Sequence, residues 1–315
     1  MLKIVFIGTA EFGCPTLHAL SESKLHTLVG VFTQPDRPAG RQQKLTSCPI
    51  KQLALKEHLK VFQPEDINQD SVIKQIKYLQ PDVIVVAAYG QLLSKHILDL
   101  PQYGCLNLHA SLLPKYRGAS PIHAAILNRE KATGVTIMWM DVGLDTGDIL
   151  LSIKTSIKSD DTAQTVHDRM AALAPKALFN ALDLLEGGKA PRIKQDPTQS
   201  SYAKKLKKED GKIDWKKTRE EIDAHIRAMT PWPTAYTWLP DGVDSRMLKI
   251  FSTIYSRRAR GKPGEVLRVD KHGILVATGG TGGLLLREVQ LEGKKRMLAA
   301  EFARGFNLTV GTILE

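Results

Sequence analysis

The residues of this chain best equipped for chemistry are an asparagine, a histidine and an aspartate at positions 107, 109 and 145. Asn107 and His109 lie two apart in Cys105-Leu-Asn107-Leu-His109, where small or polar residues alternate with leucines just after a turn that carries Pro101. The alternation predicts a short buried strand, and a period of two places both side chains on one face at its end. Ser111-Leu-Leu-Pro114-Lys-Tyr-Arg-Gly118 cannot extend a sheet, so a loop leaves the strand tip. Further on, Asp141-Val-Gly143-Leu-Asp145-Thr-Gly147-Asp148 brings three carboxylates onto a loop that its two glycines allow to turn sharply. An amide can donate to a developing oxyanion, an imidazole can move a proton near neutral pH, and a carboxylate can orient or charge the imidazole. Together they are the parts for passing an acyl group between two nitrogens. Taken singly, each has a plainer use: a histidine after a strand as a structural hydrogen-bonding group, an Asp-Gly loop as a turn.

The elements that must position these residues follow from hydrophobic patterning. Leu2 to Ile7 is a continuous apolar run ending at Gly8, expected as a buried parallel strand. Gly8-Thr-Ala10-Glu-Phe-Gly13 then opens a helix carrying Leu17 and Leu20, which resembles a dinucleotide-binding turn and raises a Rossmann oxidoreductase as a competitor. The next strand, Leu28 to Phe32, ends in Thr33-Gln34 and lacks the acidic residue that would hold a ribose hydroxyl. Thr33 to Cys48 has two prolines, a glycine and no apolar periodicity, so a long exposed loop is expected. Helices are expected over Ile50 to His58 and Ile67 to Leu79, with a short strand at Val61-Phe62 between them. Asp82 to Ala88 is the clearest buried strand, and its tip, Tyr89-Gly90-Gln91, should lie beside Asn107 and His109. A helix over 119–127, strands over 134–140 and 149–153, and a long helix over 162–185 complete an alternation that implies a doubly wound, mostly parallel α/β domain, Rossmann-like, over 1–188. Residues 189–210 are polar and proline-containing and are expected as a linker. Over 211–315, a helix near Glu220 to Met229 precedes five short runs separated by Gly, Asp and Pro, which predicts a small β-barrel of oligonucleotide-binding type.

Composition narrows the classes. The 315 residues are 43% hydrophobic with a mean hydropathy of −0.18, which suits a globular enzyme, and no apolar run reaches membrane-spanning length. Cys14, Cys48 and Cys105 have no metal-like spacing and are too few for a disulfide framework, so a reducing cytoplasm is expected and no metal. Net charge is +11, and from Ser201 onward 22 Lys and Arg stand against 14 Asp and Glu, a surplus of 8. Positive charge concentrated in one third of the chain points to an anionic partner, with a merely soluble basic domain as the plain alternative. Arg257-Arg-Ala-Arg260 and Lys294-Lys-Arg296 are candidate phosphate contacts.

Asn107-Leu-His109-Ala-Ser-Leu-Leu-Pro114-Lys-Tyr-Arg-Gly118-Ala and Thr133-Gly-Val-Thr-Ile-Met-Trp-Met-Asp141-Val-Gly-Leu-Asp145-Thr-Gly147 resemble the signature of the 10-formyltetrahydrofolate-dependent formyltransferases. Lys3 to Phe12, Gln34 to Arg41 and Met229 to Ala235 agree, so the similarity covers nearly the whole chain. The resemblance implies that Asn107, His109 and Asp145 are catalytic. It implies folate across Ser111, Leu112, Leu113 and Pro114, with the pterin near Val86, Tyr89 and Asp141, and a cis peptide at Leu113-Pro114. It implies methionyl initiator tRNA as the acceptor of the formyl group, met by Arg37, Arg41 and Lys44 of the exposed loop. Lys204, Lys205, Lys207 and Lys208 add cations in the linker, and a monomer is expected. Two alternatives stay open: a formyltransferase acting on a small amine such as a glycinamide nucleotide or an amino sugar, and a noncatalytic nucleic-acid-binding module.

Overall fold

A computed structural model describes residues 1–39, 44–241, 244–257 and 259–315. The chain forms two compact units, the first comprising 1–121, 132–156 and 167–203, the second 122–131, 157–166 and 204–315. No helix among the described residues is long and apolar enough to cross a membrane.

The first unit is built on a seven-stranded sheet in the spatial order Ile149–Ser156, Ala132–Trp139, Cys105–His109, Val83–Ala87, Lys3–Gly8, Thr27–Phe32, Val61–Phe62. From Cys105–His109 to Val61–Phe62 all neighbours are parallel, while the two strands at the other edge run antiparallel. The parallel strands are near-continuous apolar runs, the pattern of a sheet buried on both faces, and Ile4, Phe6, Ile7, Phe32, Ile84 and Leu106 are fully buried. Each such side chain contributes roughly 1.5–3 kcal/mol on burial. Phe32 stacks on Phe62 with ring centroids 4.6 Å apart, fixing the short edge strand to its neighbour. Gly8 is required where it stands, since a Cβ there would lie 2.8 Å from the Ala87 carbonyl oxygen and from the Phe6 ring. The helix expected after Gly8 starts at Cys14, behind a 3₁₀ turn over Glu11–Gly13.

Thr33 to Cys48 departs from the structureless loop expected. It holds a two-stranded ribbon, Arg37–Ala39 against Lys44–Thr46. Strands of three residues leave too little periodicity to be read from sequence. The base of the ribbon is pinned at Asp36, whose carboxylate accepts from Lys51 Nζ at 2.7 Å and Gln63 Nε2 at 2.9 Å. These bonds hold its carboxyl below the ordinary range, the one from Lys51 most.

In the second unit the helix Arg219–Ala228 begins with Thr218 and Glu221 capping each other's backbone N–H groups. It is followed by an antiparallel sheet in the order Ala235–Asp241, Asp244–Ser256, Gly283–Leu291, Gly273–Ala277, Val266–Asp270, with Met297–Leu298 paired to Gly283–Leu291. Residues 311–315 join the two outer strands. Trp238 and Glu315 exchange both backbone hydrogen bonds, at 2.8 and 2.9 Å, and Val266 N donates to Thr312 O at 2.8 Å. The sheet edges are thereby covered, as in a closed barrel. A further helix, Ala299–Phe306, was not expected; it is eight residues long and contains Gly305, which weakens any helical signal.

Candidate active site

Asn107 and His109 lie on the strand Cys105–His109, which pairs with Val83–Ala87 so that Asn107 stands opposite Val86. The period of two delivers both side chains to the same carboxylate. Asn107 Nδ2 donates to Asp145 Oδ1 at 3.3 Å, and His109 Nδ1 is 3.6 Å from Asp145 Oδ2. Asp145 Oδ2 also accepts from the Gly118 backbone N–H at 2.8 Å. His109 is 6% exposed and Asp145 13%, so the group is largely shielded from water, where electrostatic interactions are strongest. His109 Nε2 lies 2.9 Å from the Tyr116 carbonyl oxygen. A carbonyl only accepts, so Nε2 carries a proton and Nδ1 is the nitrogen that faces Asp145.

Asp145 reaches this position from a strained loop. Its φ is +54°, in the left-handed region that aspartate tolerates better than most residues. The loop is closed at its base by Trp139 N donating to Asp148 O at 2.8 Å. Gly147 permits the close approach: a Cβ there would lie 1.9 Å from the Trp139 carbonyl oxygen. Asp141, grouped with the folate residues in the sequence, is exposed, and its Oδ1 accepts from Gly143 N at 3.0 Å and Thr146 Oγ1 at 2.7 Å. That carboxylate shapes the loop from which Asp145 projects.

The Ser111 to Pro114 segment is fixed by Thr136, whose hydroxyl donates to Ser111 O at 2.7 Å and accepts from Leu113 N at 3.3 Å. The Leu113-Pro114 peptide is cis. Leu112 packs over Gly134, where a Cβ would come within 2.6 Å of its methyl group. Ser111 Oγ donates to Lys115 O at 2.6 Å, so this serine orders the loop and is no nucleophile poised for attack. Beside the strand tips, Tyr89 is buried and burial pushes its phenol up to about 12, with the Asp66 charge adding to the effect. Its hydroxyl and the Gln34 Nε2 are buried polar atoms without a hydrogen-bond partner among the described residues. Unsatisfied donors cost roughly 1–3 kcal/mol each, and ligand sites are where such groups are retained. Val86 is 4% exposed and belongs to the same buried apolar cluster as Tyr89.

Of the cations expected on tRNA, Arg37 and Lys44 are exposed on the ribbon, Arg37 lying 3.8 Å from Glu65. Arg41 lies outside the described residues, as does Arg258. Lys204, Lys205, Lys207 and Lys208 are exposed, Lys204 pairing with Asp210 at 2.7 Å. Among the described residues no cluster of three or more His, Cys, Asp or Glu could hold a metal ion. Sequence reasoning passed over Arg117 and Gln195. Arg117 is 6% exposed, and its Nε and Nη2 donate to Gln195 Oε1 at 3.1 and 2.9 Å. Arg117 stands in a motif already singled out; Gln195 sits in a polar stretch with no periodicity to mark it.

Comparison with known proteins agrees with this geometry. The formyl transferase family model matches residues 2–182 and the formyl transferase C-terminal domain model matches 205–307. A methionyl-tRNA formyltransferase of Methylacidiphilum infernorum is 57% identical over 314 residues, covering 100% of this chain and 98% of that protein. One from Geobacter sulfurreducens is 46% identical over 313 residues, covering 99% and 96%. Among solved structures, HypX from Aquifex aeolicus in complex with tetrahydrofolic acid aligns with a TM-score of 0.63 at 16% identity, over 98% of this chain and 48% of that one. The sugar 3N-formyl transferase WlaRD, solved with dTDP and 5-N-formyl-THF, aligns with a TM-score of 0.65 at 21% identity, over 94% and 99%. At these identities the two structures speak to the fold.

Proposed function

Since the chain belongs to the formyl transferase family, we propose that it moves a formyl group from 10-formyltetrahydrofolate to the α-amino group of methionyl initiator tRNA. The observation that carries the reaction class is the single carboxylate of Asp145 shared by Asn107 and His109. The folate supplies a formyl carbon already attached to nitrogen, so the incoming amine is the nucleophile and no nucleophilic side chain is needed. As the amine bonds that carbon, negative charge grows on the formyl oxygen. The second N–H of the Asn107 amide and a protonated His109 answer that charge. The amine must shed a proton, and the Asp145 carboxylate, which keeps His109 charged, helps carry it away toward the departing folate nitrogen as the bond from that nitrogen to the formyl carbon breaks. Segment 111–114 and the buried hydroxyl of Tyr89 fit a flat polar heterocycle, one face apolar at Val86 and the edge met by unspent hydrogen-bonding groups.

The choice of acceptor rests on the full-length relatives and on the surplus of 8 positive charges after Ser201. Such a surplus has no evident purpose toward a small amine and suits a polyphosphate chain, and charged tRNA places the work in the cytoplasm. The deciding assay offers 10-formyltetrahydrofolate with methionyl initiator tRNA, an elongator tRNA or free methionine. Formylation of the initiator alone is expected. Equal formylation of free methionine would move the reading to the small-amine transferases.

A further inference from the structure

Gln195 joins two groups with opposite demands. On one side its Oε1 accepts from Arg117 Nε and Nη2; on the other its Nε2 donates to the carbonyl oxygens of Asp145 at 2.9 Å and Gly147 at 2.7 Å. The guanidinium only donates and the carbonyls only accept, so the amide has one workable orientation. Its two donated bonds brace the backbone at Asp145, where φ is +54°, and at Gly147, where the chain passes under Trp139. The stretch around Gln195 is itself strapped to the catalytic unit. Ile193 and Ile149 exchange backbone hydrogen bonds at 2.8 and 3.0 Å, Trp139 Nε1 donates to Pro191 O, and Tyr202–Ala203 pairs in parallel with Arg117–Gly118. Gly118 is the residue whose N–H meets Asp145 Oδ2.

We propose that Gln195, locked by Arg117, is a positioning residue that holds the Asp145 backbone in its left-handed conformation and thereby sets the carboxylate against Asn107 and His109. This rests on the catalytic reading of Asp145 given above. A buried guanidinium whose hydrogen bonds run to an amide oxygen and, at 3.5 Å, to the Tyr202 hydroxyl is a costly way merely to fasten a loop. Its use is geometric: two donors aimed at one acceptor fix the amide in plane, and the amide fixes two carbonyls. Misplacing a reacting group by about 1 Å can lower turnover by about a hundredfold.

Gln195→Glu separates positioning from fastening. It retains, and as a carboxylate strengthens, the link to Arg117, while removing both donors to the loop. Expected are an unchanged KM for folate and kcat lowered roughly tenfold or more in protein that a melting curve shows to be folded at the assay temperature. In an Asp145→Asn background the same change should cost nothing further, because Gln195 acts through Asp145. Wild-type kcat in Gln195→Glu, or a loss that adds fully to that of Asp145→Asn, overturns the proposal. Near-normal kcat in Asp145→Asn alone instead removes the catalytic reading beneath it. Should Gln195→Glu not fold, Arg117→Lys, which keeps the charge and loses the two-point hold, must give the same kcat loss and the same non-additivity.

Discussion

His109 donates through Nε2 to a backbone carbonyl and presents Nδ1 to a carboxylate 3.6 Å away, longer than a formed hydrogen bond. In the proposed reaction the charged ring meets the developing formyl oxygen through Nδ1, with Asp145 behind it. Replacing Asn107 or His109 by alanine should therefore lower turnover by roughly a hundredfold or more with little change in KM for folate. Steady-state kinetics beside a melting curve checks this. Near-normal turnover with lost stability would reduce both residues to structural roles. Asn107 and His109 were legible because period two is local: two residues, one strand, one face. Asp145 was legible only as one of three aspartates on a glycine-bearing loop, and the resemblance, not the spacing, singled it out. Gln195 was not legible at all, since its partners lie 50 and 48 residues away and bond through backbone carbonyls, which carry no side-chain signature.

Strands and helices with strong patterns were readable to within a residue or three: Val83–Ala87 as a buried strand, Arg219–Ala228 as a helix, Gly273–Ala277 as a strand. The ribbon of Arg37–Ala39 and Lys44–Thr46 and the covering of the barrel edges by 311–315 were not, because both consist of backbone pairing in segments too short for a period. Residues 311–315 nonetheless have energetic weight. They contribute four backbone hydrogen bonds to the outer strands and a fifth to Gly264, and bury Leu314 to 2% exposure. At about 1 kcal/mol per bond and about 2 for the leucine, their removal approaches the whole stability of a small domain. Deleting 311–315 should lower the unfolding midpoint of the second unit by more than ~10 °C, read by calorimetry or limited proteolysis. An unchanged midpoint would mean that the outer strands need no cover.

At the scale of the whole molecule, charge is uneven: +8 from Ser201 onward and +3 before it. If the basic residues neutralise phosphates, affinity for tRNA should fall steeply with salt, by roughly a thousandfold or more between 50 and 200 mM for six or more contacts, while KM for folate stays nearly level. Filter binding across a salt series measures the slope, and a flat series would detach the positive surplus from tRNA. The two-part organisation was legible from composition, since a run of short strands follows an alternation of strand and helix. What composition concealed was the character of residues 189–203, whose polar sequence suggested a tether and whose backbone instead belongs to the first unit. A catalytic fragment cut at residue 188, where the long helix gives out, would thus omit Gln195 and the Tyr202–Ala203 pairing, and with them the brace behind its own aspartate. The compact unit that holds Asn107, His109 and Asp145 runs on to Ala203, so a gene dissected by its helix boundaries would lose the hydrogen bonds that Gln195 makes behind Asp145.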